Sequence, residues 1–186
     1  MTDYFALLQQ PRKPWLDPDQ LKQRYQELTL TEHPDQKRTN ESSFDFATVN
    51  EAYRFLKDPK LRLQHLLRLE GHDPNASQSI PEELLDLFSR IGNFVQSTDR
   101  LLERSTAALN ALAKSLIQSE ILTSRREAEE ILEKIRWLYA EAEEETRHLN
   151  DSWADAPQAM GQLYGRFAYL TRWIEQVEER KFQLSA

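Results

Sequence analysis

Residues 17–36 read DPDQLKQRYQELTLTEHPDQ, a segment that contains both the start of a helix and the signal that ends it. Its first four residues supply an N-cap aspartate, a first-turn proline and a capping-box glutamine. The apolar positions that follow repeat with helical spacing at Leu21, Tyr25 and Leu28. Pro34 disfavours helical backbone at the residue before it, so we expect this helix to end near Glu32. Residues 33–35, which read His-Pro-Asp, therefore begin a loop.

Three more short helices are predicted around this segment. One spans residues 4–8 and is stopped by two prolines, and another starts at Phe46, where apolar residues again recur at helical spacing. Asp58-Pro59 ends that helix and caps a further one over residues 60–70, which Gly71 closes. The two longer helices must pack antiparallel. The loop between them is then exposed at one end of a helical hairpin, where a partner can reach it.

The rest of the chain predicts a second domain. Residues 70–79 are the most turn-rich stretch, so we place the boundary between domains of residues 1–76 and 77–186. After the boundary, apolar residues alternate steps of three and four in three seams, the first of which runs from Leu84 to Leu116. Short connectors are predicted near 119–124 and 150–157. The predicted fold is therefore all-α, with a C-terminal antiparallel three-helix coiled bundle and no strand.

Composition argues against several kinds of function. The 186 residues include no cysteine, which rules out disulfides and thiol chemistry from this chain, and the net charge of −7 argues against nucleic-acid binding. No window is apolar enough to span a membrane, and we expect a cytoplasmic protein. The scattered histidines and the acidic run at residues 141–145 lack the spacing of a metal site. We predict no catalytic residue, no metal, no cofactor and no enzymatic activity.

The tripeptide at residues 33–35, with a helix in this register before it and VNEAYRFLKDP at residues 49–59 after it, resembles a J-domain. The resemblance implies contact with a DnaK-type (70-kDa heat-shock) chaperone and stimulation of ATP hydrolysis by that chaperone. Its chemistry suits binding, because proline fixes φ and the aspartate carboxylate can accept an arginine fork. The residues expected to bind the chaperone are His33, Pro34, Asp35, Lys22, Arg24 and Lys37.

The second helix departs from the J-domain pattern in its charge. J-domains usually carry a basic helix here, whereas residues 17–32 hold two basic and four acidic side chains. Electrostatic steering towards an acidic partner is then weaker. This leaves open an alternative function, a helical adaptor or oligomerisation module whose J-domain has lost productive chaperone contact and whose client is not an iron–sulfur protein.

Nearly the whole chain is similar to the HscB co-chaperones of iron–sulfur cluster assembly. The similarity includes DYFALL at residues 3–8, LLRLEGHD at 66–73 and RFAYL at 166–170. It implies that the bundle binds a client, an iron–sulfur scaffold protein, through an apolar and acidic patch on its first helix and an aromatic residue of the last. The apolar positions that fit are Leu84, Leu85, Phe88 and Tyr169, while Ser89 and Gly92 stand where the family pattern has glutamates. Leu84 and Phe88 also lie on the first apolar seam, so a place in the core is the alternative for both.

Overall fold

The computed structural model describes residues 1–31, 46–74, 80–107 and 110–185. They fall into two compact units. The first contains Met1–Gln78 together with Ala142–Gly165, and the second contains Ser79–Glu141 together with Arg166–Ala186. Within the described ranges every regular element is a helix, as the sequence predicts.

Four α-helices come from the N-terminal part of the first unit. They are α1 (Tyr4–Leu7), α2 (Pro18–Thr31), α3 (Phe46–Lys57) and α4 (Pro59–Leu69). The carboxylates of Asp3 and Asp58 cap α1 and α4 by accepting backbone N–H bonds. Gly71 adopts a left-handed φ of 79° just after α4, and the next N–H donates to the carbonyl of Leu67. This confirms the prediction that Gly71 ends α4.

A buried arginine connects three parts of the first unit. Arg62 of α4 is almost inaccessible to solvent. Its Nε donates to the carbonyl of Pro14 at 2.6 Å, and its Nη1 donates to the carbonyl of Leu56 at 2.6 Å. A guanidinium excluded from water needs such acceptors, since an unpaired buried charge is strongly destabilising. Arg62 therefore fixes α4 against the end of α3 and the segment before α2.

Three long helices form the second part of the chain: α5 (Leu85–Ala107), α6 (Ala111–His148) and α7 (Pro157–Gln183). Ion pairs show how they run. Arg90 and Arg104 of α5 pair with Glu130 and Glu120 of α6, so one residue number falls as the other rises. Glu129 and Arg136 of α6 pair with Lys181 and Glu178 of α7, again in opposite order along the two helices. The predicted antiparallel three-helix arrangement is confirmed.

The predicted first connector of the bundle is wrong. The seam to Leu116 and the connector near 119–124 predict a helix that ends before residue 119, but α6 runs without interruption through those residues. The chain reverses just before α6, where Asn110 Oδ1 accepts the N–H of Ala113 at 2.8 Å and caps the helix. In consequence Leu112 and Leu116, which the seam placed inside, are 73% and 59% exposed.

The compact units differ from the predicted domain ranges, because Ala142–Gly165 belongs to the first unit. Its partners lie in the segment between α1 and α2. Lys13 pairs with Asp151 at 2.9 Å, and the N–H of Trp15 donates to Asn150 Oδ1 at 3.0 Å. The guanidinium of Arg147 lies 4.6 Å from the centre of the Trp15 ring, within the range of a cation–π contact. These contacts join residues about 135 positions apart, which no local pattern reveals.

The interior of the second unit is divided by a polar pair. The hydroxyls of Thr98 on α5 and Ser124 on α6 lie 3.1 Å apart and are both buried. One apolar cluster includes Phe94, Ile131 and Trp173, and a separate cluster contains Leu101, Ile117, Ile121 and Leu184. The sequence pattern Ser124 to Glu127 resembles a capping box, but here the serine lies inside a helix and bonds to a side chain.

We predict that Thr98→Val lowers the free energy of unfolding by about 1–2 kcal/mol, because it leaves the buried Ser124 hydroxyl without this partner. The double variant Thr98→Val/Ser124→Ala removes both hydroxyls and should lie within about 0.5 kcal/mol of the natural protein. Urea denaturation followed by circular dichroism measures both values. Equal stability of the single and double variants would show that the hydroxyl pair is not coupled.

Candidate functional site

The structure describes two of the six residues predicted to bind a chaperone. Lys22 and Arg24 lie on α2, and Lys22 is exposed. His33, Pro34, Asp35 and Lys37 lie outside the described residues. Their role in binding stays a prediction, and the described structure bears on the helices that flank them.

Stacked tyrosines hold α2 and α3 together. The rings of Tyr25 and Tyr53 lie 4.2 Å apart with an angle of 14° between their planes. The hydroxyl of Tyr25 donates to Oδ1 of Asn50, and the ammonium of Lys57 lies 5.9 Å from the Tyr53 ring. The stack and the hydrogen bond fix the two helices that flank residues 32–45. The predicted helical hairpin is therefore built partly from polar aromatic side chains.

The positive charge of α2 is partly compensated within the helix. Arg24 Nη1 donates to Glu27 at 2.9 Å, and Gln23 also donates to that carboxylate at 3.0 Å. The hydrogen bonds from Arg24 and then Gln23 lower the pKa of Glu27 below its usual value, which keeps this carboxylate ionised. Arg24 is therefore less available to an acidic partner than the sequence alone suggests.

His65, for which the sequence indicates no role, lies on α4 and is buried among aromatic rings. Its Nε2 accepts the backbone N–H of Tyr4 at 3.1 Å, and its ring stacks on that of Tyr4 at 4.5 Å. Burial lowers the pKa of His65 below the ordinary value of 6.5, although the nearby Asp3 carboxylate acts in the opposite direction. The neutral ring is the form that can accept this bond, so it anchors α1.

We predict that the protein loses stability as the pH falls through the ordinary histidine pKa. Because the pKa of His65 is lower in the folded state, the unfolded chain binds a proton that the folded chain does not, and this favours unfolding in acid. Urea midpoints measured between about pH 7.5 and about pH 5.5 test this. His65→Gln keeps a hydrogen-bond acceptor but cannot titrate in this range, so its midpoint should fall less. An identical fall in both proteins would contradict the assignment.

The structure separates the four residues predicted to bind a client. Leu84 has no exposed surface and belongs to the core of the second unit, so it cannot contact a partner. Leu85 and Phe88 of α5 are 46% and 48% exposed, and Tyr169 of α7 is partly buried. Three of the four predicted residues therefore reach the surface.

A further aromatic residue, which the sequence pattern does not identify, supports this surface. Trp173 lies one turn after Tyr169 on α7, with their ring centres 5.7 Å apart, and the ring of Phe88 lies 6.3 Å from Trp173. Trp173 is buried, so the rings of Phe88 and Tyr169 pack against a side chain that the core holds in place. We name Leu85, Phe88, Tyr169 and Trp173 the aromatic surface. Large rigid side chains of this kind often dominate binding energy at protein interfaces.

Acidic residues next to the aromatic surface are not all available to a partner. Glu83 lies 3.3 Å from Nε of Arg166, and Glu141 lies 4.0 Å from the same guanidinium. Glu82 and Asp86 are exposed on the segment that begins α5. Any electrostatic attraction of a basic partner at this end therefore depends chiefly on those two carboxylates.

The described part of the chain contains neither a helix that could cross a membrane nor a group of three acidic or histidine side chains able to hold a metal ion. Of the candidate binding residues that the structure describes, Lys22 and Arg24 are charged, and those of the aromatic surface are aromatic or aliphatic. They can bind a protein through ion pairs and apolar contact.

Comparison with known proteins agrees with this organisation. Residues 3–65 match the family model of the DnaJ domain. The co-chaperone protein HscB of Proteus mirabilis is 34% identical in an alignment of 117 positions, which covers 60% of this chain and 66% of that relative. The match thus spans slightly less than two thirds of the relative's length.

A solved structure supports the fold. The crystal structure of human co-chaperone protein HscB aligns with 97% of this chain and 83% of its own, with a TM-score of 0.50 and 20% sequence identity. At this identity the likeness bears on the fold alone. The DnaJ match over residues 3–65 and the bacterial relative show that this chain carries a DnaJ domain and is similar to the HscB co-chaperones.

Proposed function

We propose that the protein is a co-chaperone that stimulates ATP hydrolysis by a DnaK-type chaperone and delivers to it a client, an iron–sulfur scaffold protein. The observation that carries this proposal is the DnaJ match over residues 3–65, which contains α1 to α3 and more than half of α4. The similarity to HscB co-chaperones supports the choice of client. We expect the protein to act in the cytoplasm.

The proposed chaperone contact is the tripeptide at residues 33–35. Asp35 offers a carboxylate that can accept two parallel hydrogen bonds from an arginine of the partner, and Pro34 restricts the backbone beside it. The stacked Tyr25 and Tyr53 hold α2 and α3 together, so the two helices on either side of the tripeptide have fixed positions. In this proposal the groups that hydrolyse ATP belong to the chaperone, and this chain supplies a binding surface.

The proposed client contact is the aromatic surface of the second unit. Half-exposed Leu85 and Phe88 are costly to leave in water side by side, and contiguous apolar patches of this kind mark interaction sites. Burying them against a client would remove apolar area from water, a gain of roughly 25 cal/mol for each Å². Trp173 beneath them keeps the surface preorganised, which reduces the entropy lost on binding.

We predict that Asp35→Asn reduces stimulation of the chaperone's single-turnover ATP hydrolysis at least about tenfold, because the neutral amide loses the charge-assisted pair with an arginine. Melting followed by circular dichroism should be unchanged. Asp19→Asn, which removes an exposed carboxylate from the first turn of α2, is the matched control and should stimulate normally.

Two outcomes of this assay would contradict the proposal. Full stimulation by Asp35→Asn would remove the tripeptide from the mechanism. Failure of the natural protein to stimulate any cognate chaperone would favour the alternative function, an adaptor with an inactive J-domain. The pairing of Arg24 with Glu27 is the feature of α2 that fits this alternative.

We predict that Leu85→Ser weakens binding of the scaffold protein about tenfold or more, equivalent to about 1.4 kcal/mol, because it removes an apolar contact from the aromatic surface. Leu122→Ser is the control, since Leu122 is an exposed leucine on α6 outside this surface. Isothermal titration calorimetry with each variant gives the dissociation constants. Equal weakening by both substitutions would show that the effect is not specific to the surface.

A further inference from the structure

Gly92 lies in the middle of α5, where a glycine is unfavourable. Glycine destabilises a helix relative to alanine because it loses more backbone freedom on folding. Gly71, by contrast, has a left-handed φ that requires glycine, whereas Gly92 has ordinary helical backbone. A Cβ placed on Gly92 would meet no atom within 4 Å. Among the described residues, neither the backbone conformation nor the packing requires a glycine at this position.

Gly92 continues the aromatic surface. On α5, Leu85, Phe88 and Gly92 follow one another at steps of three and four residues, so they share one side of the helix. Leu85 and Phe88 project from that side and are about half exposed, and Phe88 rests on Trp173. One turn after Phe88, Gly92 has no side chain, so the helix backbone itself is exposed there. We call this exposed position without a side chain, next to Phe88, the notch.

The surroundings of the notch carry little charge. The exposed neighbours Ser89, Asn93 and Gln96 are uncharged. Arg90, the nearest cation on α5, pairs with Glu130 of α6 at 2.8 Å. Recognition at this place therefore depends on shape and apolar contact, in contrast to the end of the surface where Glu82 and Asp86 lie.

We propose that Gly92 determines client specificity, by forming a notch that admits a bulky apolar side chain of the iron–sulfur scaffold protein against the backbone of α5 beside Phe88. This inference rests on the proposed function, since it takes the scaffold protein as the occupant of the aromatic surface. A residue with a side chain at position 92 fills the notch and keeps the client away from the helix. The absence of a side chain here is thus a feature of the interface.

The test compares two glycines of the full-length protein. Gly161 of α7 is the matched control, because it is also helical and a Cβ there would also meet no atom within 4 Å. Gly92→Gln and Gly161→Gln should both raise the thermal midpoint, since glutamine is a better helix former. We expect Gly92→Gln to weaken binding of the cognate scaffold protein at least about tenfold, and Gly161→Gln to bind within about twofold of the natural protein.

Further readouts distinguish the possible outcomes. Stimulation of the chaperone without scaffold should be the same for both variants, and the loss of affinity in Gly92→Gln should be similar at low and high salt because the notch is uncharged. Should Gly92→Gln lower the thermal midpoint instead, Gly92→Ala, which adds a single methyl group, provides the comparison and should bind more tightly than Gly92→Gln. If Gly92→Gln binds the scaffold protein with natural affinity, the proposed role of Gly92 is overturned and the proposed function stays intact. No binding of the scaffold by the natural protein would overturn the choice of client and the notch with it.

Discussion

The guanidinium of Arg62 lies in the interior of the first unit, and its hydrogen bonds go to the backbone carbonyls of Pro14 and Leu56. One turn later on the same helix, His65 accepts the N–H of Tyr4. α4 thus holds the N-terminal segment at two backbone positions. Trp15, next to the first of them, contacts Asn150 and Arg147. Replacing Arg62 by an apolar residue would remove one donor from each of these two carbonyls, so the placement of α4 against the end of α3 and the segment before α2 depends on one charged side chain.

The helices of the N-terminal part could be predicted because residues next to each end determine where the helix begins and ends. Asp58-Pro59 at the start of α4 and Gly71 after it act through caps that need only neighbouring residues. In the bundle, local signals were ambiguous. Apolar periodicity continues from α5 into α6, so it does not show where the chain reverses. Asn110 made the cap, while the similar signal at Ser124 was satisfied across the core by Thr98.

The candidate surfaces could be predicted in part. Apolar pairs such as Leu87-Phe88 allow either member to face the core, and the seam selected Phe88, whereas the structure buries Leu87 and exposes Phe88. Trp173 beneath the aromatic surface and the engagement of Glu83 by Arg166 depend on how α7 packs beside α5. Pairing between distant helices has no signature in a single sequence. The residue types of the surface were therefore predictable, but their exposure was not.

The hydroxyl pair of Thr98 and Ser124 gives the second unit two separate apolar interiors. The smaller one is formed by four buried aliphatic residues near the C-terminal ends of α5 and α7 and in the N-terminal part of α6. A few aliphatic contacts stabilise a region less than a large aromatic core does, so this end can open without unfolding the remainder. Its amide protons would then exchange with solvent ahead of those around Phe94 and Ile131. The aromatic surface would keep its structure while the opposite end of the helices opens and closes locally.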